Sequence, residues 1–220
     1  MPALLLLPLY TTPAMGIWKI IEPWQEMIEL FQNKAFYNNE VLHIQSDKRK
    51  QEWLAVRLLV KHMTGDELTI SYKKNGAPFF THNPYHISIS HTKGYAAVIM
   101  SVSPYPGIDI EYKSERACKL RTKFLSTKEM ELFDAIHFND QAESPSSIEA
   151  TLATLCWCAK ETAYKALQET EVDFKEHLHI APFSLSEKGV LSLKEIKTRK
   201  KVVFTIHYYL SDDFVITWKD

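Results

Sequence analysis

The sequence predicts an α+β protein made of two similar lobes, each with a long helix packed on a mainly antiparallel sheet. Short apolar runs with strand-like alternation surround two longer segments in which apolar residues recur at helical spacing. Residues 1–105 run from strand to helix, long helix and three-strand meander, and residues 106–220 repeat that order. A chain of 220 residues is also long enough for two compact units. We expect the lobes to join near residues 103–106.

Elements of the first lobe follow from hydrophobic periodicity and from capping residues. Apolar runs predict two opening strands, residues 4–10 and 16–20. A short helix over residues 23–31 begins at a proline, which is favoured in a first helical turn. Asp47 is a candidate N-cap for a helix over residues 48–63. The remaining strands are predicted at residues 67–72, 86–90 and 95–102.

Elements of the second lobe follow in the same way. A strand is predicted at residues 107–112, and Ser126 with Glu129 forms a capping box that begins a helix. Residues 139–147 are polar and contain a proline, which predicts a surface loop. A long helix is predicted over residues 148–169. The last strands are predicted at residues 190–196, 202–210 and 214–218.

The composition excludes several classes of protein. The 26 basic and 27 acidic residues give a net charge of −1, whereas a dedicated nucleic-acid binder carries a basic excess. Three cysteines do not make a disulfide framework and suit a reducing compartment. The first apolar run follows no positive charge and is too short to cross a membrane. We therefore expect a cytoplasmic protein that binds neither nucleic acid nor membrane.

Two carboxylates share one face of the strand predicted at residues 107–112. Because side chains alternate along a strand, Asp109 and Glu111 project to one side, and Ile108 and Ile110 project to the other. Carboxylate oxygens suit Mg²⁺, which often completes its shell with substrate phosphate. Taken alone, the segment is better explained as an amphipathic strand with a hydrated outer face.

The long helix of the second lobe carries a second polar set. Trp157, Glu161 and Lys165 are spaced four apart and therefore share a helix face. Such a carboxylate can serve as a metal ligand or a general base, and the ammonium can stabilise phosphate charge. The alternative is a surface ion pair that stabilises the helix by about 0.2–0.5 kcal/mol.

A third polar set follows the strand predicted at residues 86–90. Ser90 and His91, with Lys93 close by, place hydroxyl, imidazole and ammonium groups at a turn. Together with backbone N–H groups, they predict a phosphate-binding loop. A histidine at a strand end is more often structural, and that alternative stays open.

In their order along the chain, these segments resemble the 4′-phosphopantetheinyl transferase superfamily. The family pattern is matched by Gly107-Ile108-Asp109, Glu111, Trp157, Lys160, Glu161, Lys165, the Ser-Ile-Ser-His segment at 88–91, and Phe124-Leu125-Ser126 with Glu129. Length favours the two-lobed, surfactin-synthetase-activating (Sfp) type, a pseudo-dimeric monomer with one site between its lobes. The half-length synthases that trimerise are the other type.

The resemblance implies that the phosphopantetheine arm of coenzyme A is transferred to a serine of an apo acyl or peptidyl carrier protein. Adenosine 3′,5′-bisphosphate is the other product. The resemblance assigns Mg²⁺ to Asp109, Glu111 and Glu161, and catalysis to Glu161, Lys165 and Asp109, so that residues 106–220 hold the metal-binding carboxylates. A coenzyme A-binding module of the same fold with weak catalysis, or another Mg²⁺-dependent phosphoryl transferase, stays an alternative.

The resemblance also implies a binding site for the phosphates of coenzyme A. Ser90 and His91 would hold the 3′-phosphate together with a basic residue at the start of the first long helix, where Arg49 is chosen over Lys48 and Lys50. Lys160 is a further candidate for a phosphate contact. Many relatives carry Gly-Lys-Pro where this chain has an alanine at position 77, and the replacement for that lysine stays open among residues 73, 74 and 93. Carrier docking is expected over residues 124–147, with the basic residues 197–201 as a further possibility.

Overall fold

A computed structural model describes residues 3–7, 13–135 and 145–220. The chain divides into two compact units, Met1–Pro106 together with Asp220, and Gly107–Lys219. Both combine helices with antiparallel sheets, which confirms the predicted α+β class. Of the surface loop predicted at residues 139–147, the part up to residue 144 lies outside the described residues, and residues 145–147 are helical. None of the helices in the described ranges is both long and apolar enough to cross a membrane.

The first unit has nine elements in its described part. In chain order they are β1 (Ala3–Leu7), β2 (Ala14–Lys19), α1 (Trp24–Glu29), α2 (Lys34–Leu42), α3 (Asp47–Thr64), β3 (Ile70–Tyr72), β4 (Pro78–Phe80), β5 (His86–Thr92) and β6 (Tyr95–Ser101). An antiparallel sheet has the strand order β1-β2-β6-β5, and β3 pairs with β4 in a separate hairpin. The predicted three-strand meander was therefore wrong at β3, because the turn at Gly76, with φ of 83°, returns the chain to β4.

The long helix α3 packs on β2 and β6 and contributes much of the core of this unit. Val56, Leu59 and Val60, whose spacing predicted the helix, are buried, and so are Leu54 and Leu58. The helix begins one residue earlier than predicted, so that Asp47 is its first residue and Ser46 occupies the N-cap position. The helix ends at Gly65, whose φ of 81° is typical of a left-handed C-cap.

The second unit also has nine elements in its described part. They are β7 (Gly107–Tyr112), α4 (Glu115–Phe124), α5 (Thr127–Ala135), α6 (Pro145–Leu167), α7 (Phe174–His177), β8 (Leu178–Ile180), β9 (Lys188–Glu195), β10 (Val203–Leu210) and β11 (Phe214–Lys219). The antiparallel sheet has the order β7-β11-β10-β9-β8, and α6 packs on it mainly at β7 and β11. A long helix on an antiparallel sheet is thus present in each unit, as predicted.

Helix α6 lies so close to β7 that the first residue of the strand has to be glycine. A Cβ added to Gly107 would collide with the carbonyl oxygen of Thr162 and would lie 3.2 Å from both the carbonyl carbon and Cγ2 of that residue. The Thr162 hydroxyl in turn lies 2.6 Å from the Thr217 hydroxyl, which ties α6 to β11 as well. These contacts fix the packing distance between α6 and the strands β7 and β11.

Gly107→Ala is expected to lower the free energy of unfolding by about 2 kcal/mol or more, because backbone must move to admit the methyl group. Urea denaturation would measure the change. Gly76→Ala is the matched control, since an added Cβ there meets no atom within 4 Å and only its positive φ resists the change. If Gly107→Ala lowered the free energy of unfolding less than Gly76→Ala does, α6 and β7 would move apart at little cost, and the expectation would be wrong.

Candidate active site

Strand β7 presents two carboxylates on the face that α6 covers. Asp109 is 4% exposed and pairs across the ladder with Thr217, the residue that contacts α6, while Glu111 pairs with Val215 and is partly exposed. Ile108 is fully buried on the opposite face of the strand. The predicted alternation is confirmed, although the face that carries Asp109 is mostly covered by protein and is not a hydrated outer surface.

Lys165 connects α6 to this strand. Its ammonium lies 2.8 Å from Asp109 Oδ1 and donates a second hydrogen bond of 2.8 Å to the carbonyl oxygen of Ile108. The lysine side chain is 25% exposed, whereas that of Asp109 is 6% exposed. The structure thus brings together a strand carboxylate and a helix ammonium, and part of the lysine side chain is exposed to solvent.

Glu161 lies one helical turn before Lys165 and is electrostatically coupled to the same group of side chains. The pKa of Glu161 is raised to about 7, first by burial and then by the negative charges of Asp109 and Glu111, against the opposing effect of Lys165. The two strand carboxylates, Asp109 and Glu111, therefore interact electrostatically with the helix carboxylate, Glu161, as their predicted positions suggested. Trp157, predicted to share the helix face, packs instead between Phe124 and Phe174, with ring centroids 5.2 and 5.4 Å away.

The chemistry of these carboxylates fits a divalent cation of the Mg²⁺ class. Burial first, and then the negative charges of Asp109 and Glu111, raise the pKa of Glu161 to about 7, and a cation bound among these carboxylates would offset both effects. Among the residues that the structure describes, no group of three or more Asp, Glu, His or Cys side chains is arranged to hold a metal ion. Mg²⁺ needs no such cage, because it keeps waters and binds through one or two carboxylates with substrate phosphate.

Lys160 has a different environment from the one expected of a coenzyme A ligand. It is completely buried, and its ammonium donates to the carbonyl oxygens of Phe124 and Phe174, at 2.7 and 2.9 Å, and to the Glu129 carboxylate at 2.8 Å. All three ammonium hydrogens are thereby used inside the protein. We therefore correct the prediction that Lys160 contacts a phosphate and assign it a structural role.

The partner of Lys160 belongs to the capping box, which the structure confirms. Glu129 Oε2 accepts hydrogen bonds of 2.8 Å from both the backbone N–H and the hydroxyl of Ser126, and Oε1 accepts one of 2.9 Å from the backbone N–H of Ile180. The sequence analysis did not predict the ion pair between Lys160 and Glu129. One signal for it was present, because Cys156 and Ala163 flank Lys160 at helical spacing and are apolar.

In the first unit, Ser90 and His91 lie near the end of β5, opposite Ala97 and Ala96 of β6. Ser90 is 8% exposed, and the His91 side chain is 39% exposed. His91 Nδ1 lies 3.5 Å from Glu52 Oε2, a carboxylate of α3 that sequence reasoning missed. The predicted pair is thus attached to the long helix by an acidic residue.

The three basic residues that compete at the start of α3 have different surroundings. Lys48 Nζ lies 3.5 Å from Glu52 Oε1, so that it shares this carboxylate with His91. Lys50 lies 3.2 Å from Asp47 Oδ1 and 4.5 Å from the centroid of the Trp24 ring. Arg49, the residue chosen from the sequence, is exposed, and its assignment to the phosphate site stays a prediction.

A comparison with protein-family models matches residues 105–219 to the 4′-phosphopantetheinyl transferase superfamily. The matched segment is more than half of the 220-residue chain and contains the whole second unit with its carboxylate group. A comparison with curated proteins finds no match.

Proposed function

The chain belongs to the 4′-phosphopantetheinyl transferase superfamily, and from that premise we propose that it transfers the phosphopantetheine arm of coenzyme A to a serine of an apo acyl or peptidyl carrier protein. The grouping of Asp109, Glu161 and Lys165 at the contact of α6 with β7 is the observation that supports this proposal most. We also propose the two-lobed Sfp type, acting as a cytoplasmic monomer, because each unit has its own long helix and sheet.

In the proposed reaction, the serine oxygen of the carrier bonds to the phosphorus that bears the pantetheine arm. The bond from that phosphorus to the bridging oxygen of the pyrophosphate breaks, and adenosine 3′,5′-bisphosphate leaves. No redox change occurs, and the serine proton has to be taken up by a base. Since little covalent chemistry is required of the protein in phosphoryl transfer, positioning and charge stabilisation account for most of the catalysis.

Glu161 is the proposed base. In the metal-free protein the pKa of the Glu161 carboxylate is raised to about 7, mainly by burial, and a bound cation would lower it, so that the side chain would be ionised and able to accept the serine proton. The same side chain, with Asp109 and Glu111, would hold Mg²⁺, which when bound supplies positive charge for the pyrophosphate oxygens. Direct proton uptake by the Glu161 carboxylate and ligation by its second oxygen are compatible, because a carboxylate has two oxygens.

Lys165 is the proposed cation for the leaving phosphate. Its ammonium is held by Asp109 and by the Ile108 carbonyl, and it has a third hydrogen to donate. At the other end of coenzyme A, we propose that Ser90 and His91 bind the 3′-phosphate together with a cation from the start of α3. Charged donors of this kind form short, strong hydrogen bonds with phosphate oxygens.

Incubation with coenzyme A, Mg²⁺ and an apo carrier protein is expected to add one phosphopantetheine arm to the carrier. Intact-protein mass spectrometry would detect the added mass, and fatty-acid, polyketide and peptide carriers would be assayed in parallel. Carriers with the acceptor serine changed to alanine, and reactions with a chelator, are the controls. If no carrier gains mass while coenzyme A still binds, the protein is a binding module and the proposed transfer is wrong.

A further inference from the structure

Glu52 is a buried carboxylate whose two ion-pair partners are both cationic side chains at the proposed phosphate site. Its side chain is 6% exposed. One oxygen lies 3.5 Å from Lys48 Nζ and the other lies 3.5 Å from His91 Nδ1. A buried carboxylate is costly unless it is paired, so these two contacts hold both partners in place.

The two partners reach Glu52 from different elements of the first unit. Lys48 lies one turn earlier on α3, at the i,i+4 spacing that brings helical side chains together, and His91 comes from β5. Both partners are far more exposed than the glutamate, at 65% for Lys48 and 39% for His91. The buried Glu52 carboxylate therefore contacts two side chains, Lys48 and His91, that are themselves partly exposed to solvent.

The neighbouring basic residues lack this arrangement. Arg49 lies three positions before Glu52, a spacing that also allows contact, but within the described residues only Lys48 of the two forms an ion pair with Glu52, at 3.5 Å. The ammonium of Lys50 is placed against Asp47 and the Trp24 ring. The geometry at the helix start thus favours Lys48 as the partner of His91.

We propose that Glu52 is a positioning residue that holds Lys48 and His91 side by side to bind one phosphate group of coenzyme A, with Lys48 and not Arg49 as the helix cation. The inference rests on the proposed function, since it takes coenzyme A as the ligand. Two positive groups against one negative group leave a net positive charge for that phosphate when the imidazole is protonated.

The experiment compares coenzyme A with dephospho-coenzyme A, which lacks the 3′-phosphate, by isothermal titration calorimetry. The dissociation constant of dephospho-coenzyme A divided by that of coenzyme A measures what the 3′-phosphate contributes to binding. Lys48→Gln is expected to weaken coenzyme A binding about tenfold and to leave dephospho-coenzyme A binding unchanged, because one charged contact to phosphate is lost. Lys48→Arg is expected to retain most of the ratio. Arg49→Gln tests the competing residue. If Arg49→Gln weakened coenzyme A binding more than Lys48→Gln does, the assignment of Lys48 as the helix cation would be wrong.

Glu52→Gln tests the positioning role, because it keeps the size of the side chain and removes its charge. The ratio is expected to fall about threefold to tenfold, since Lys48 and His91 lose their common anchor. An unchanged ratio would show that Glu52 does not influence phosphate binding, a higher ratio would show that it repels the phosphate, and either result would overturn the proposal. If this variant does not fold, the result for Lys48→Gln decides, because that side chain is 65% exposed and its loss leaves the core intact.

Two controls separate the possible failures. Lys34→Gln removes an exposed lysine that pairs with Glu29 in the same unit, so that it reports the effect of a general loss of positive charge. A loss at Lys34 equal to that at Lys48 would contradict a specific phosphate contact. If the unaltered protein bound neither form of the coenzyme, the proposed function would fail before the role of Glu52 was reached.

Discussion

Glu161→Gln is expected to lower the rate of carrier modification by at least about 10²-fold, the usual contribution of a positioned acid or base. The amide neither accepts the serine proton nor carries the negative charge that the proposed metal site needs. Coenzyme A affinity in the absence of metal is expected to change only a few-fold. Initial rates from mass spectrometry, and dissociation constants from calorimetry, would measure the two effects. Unchanged turnover would remove Glu161 from the mechanism.

The same variant is expected to be more stable than the parent protein above pH 7 in metal-free buffer. Glu161 has a folded-state pKa of about 7 against an ordinary value of 4.5, so its ionisation opposes folding. The penalty is small below pH 4.5, grows between pH 4.5 and about pH 7, and stays constant at about 1–3 kcal/mol at higher pH. Urea denaturation at pH 5 and pH 8 would show a much larger gain at pH 8 than at pH 5.

The stability measurement also controls the activity measurement. A variant that is slower but more stable has lost chemistry and not structure. Glu149→Gln changes an exposed glutamate on the same helix and is expected to alter neither turnover nor stability. If Glu161→Gln instead destabilised the protein at pH 8, the burial of an ionised Glu161 beside Asp109 and Glu111 would not be the cost that the raised pKa indicates.

The fold was predictable wherever apolar periodicity is strong. Val56, Leu59 and Val60, which recur at helical spacing, are buried on α3, and the strand predicted at residues 107–112 has the observed bounds of β7. Helix α4 was not predicted, because only Phe124 at its end is buried and the rest of its sequence is mostly charged or polar. Short strands such as β4, with three residues, are too brief to show a period.

The candidate site was predictable to the extent that it depends on local spacing. Alternation along β7 and the four-residue spacing on α6 identified Asp109, Glu161 and Lys165 before their contacts were known. Contacts between distant parts of the chain could not be read in this way. Glu52 with His91 and Glu129 with Lys160 are ion pairs across 39 and 31 positions, and neither residue of a pair specifies its partner by local periodicity.

Lys160→Met is expected to cost about 3–5 kcal/mol of unfolding free energy, the usual effect of removing one partner from a buried ion pair. Methionine fills much the same volume, so that the loss arises from charge and hydrogen bonds. Glu129 would stay buried as a carboxylate, and the carbonyl oxygens of Phe124 and Phe174 would each lose a donor. Urea denaturation would measure the loss, and Lys119→Met is the control, since the pair of Lys119 with Glu115 is fully exposed.

Combining Lys160→Met with Glu129→Gln separates the cost of an orphaned charge from the value of the pair. If the unpaired carboxylate causes most of the loss, the double variant will recover part of the stability that Lys160→Met removes. Strictly additive losses would show that the two side chains act independently, despite the 2.8 Å between them. The same proteins test the corrected role of Lys160. A structural lysine affects coenzyme A affinity only through the folded fraction, whereas a phosphate ligand would weaken binding in samples that are fully folded.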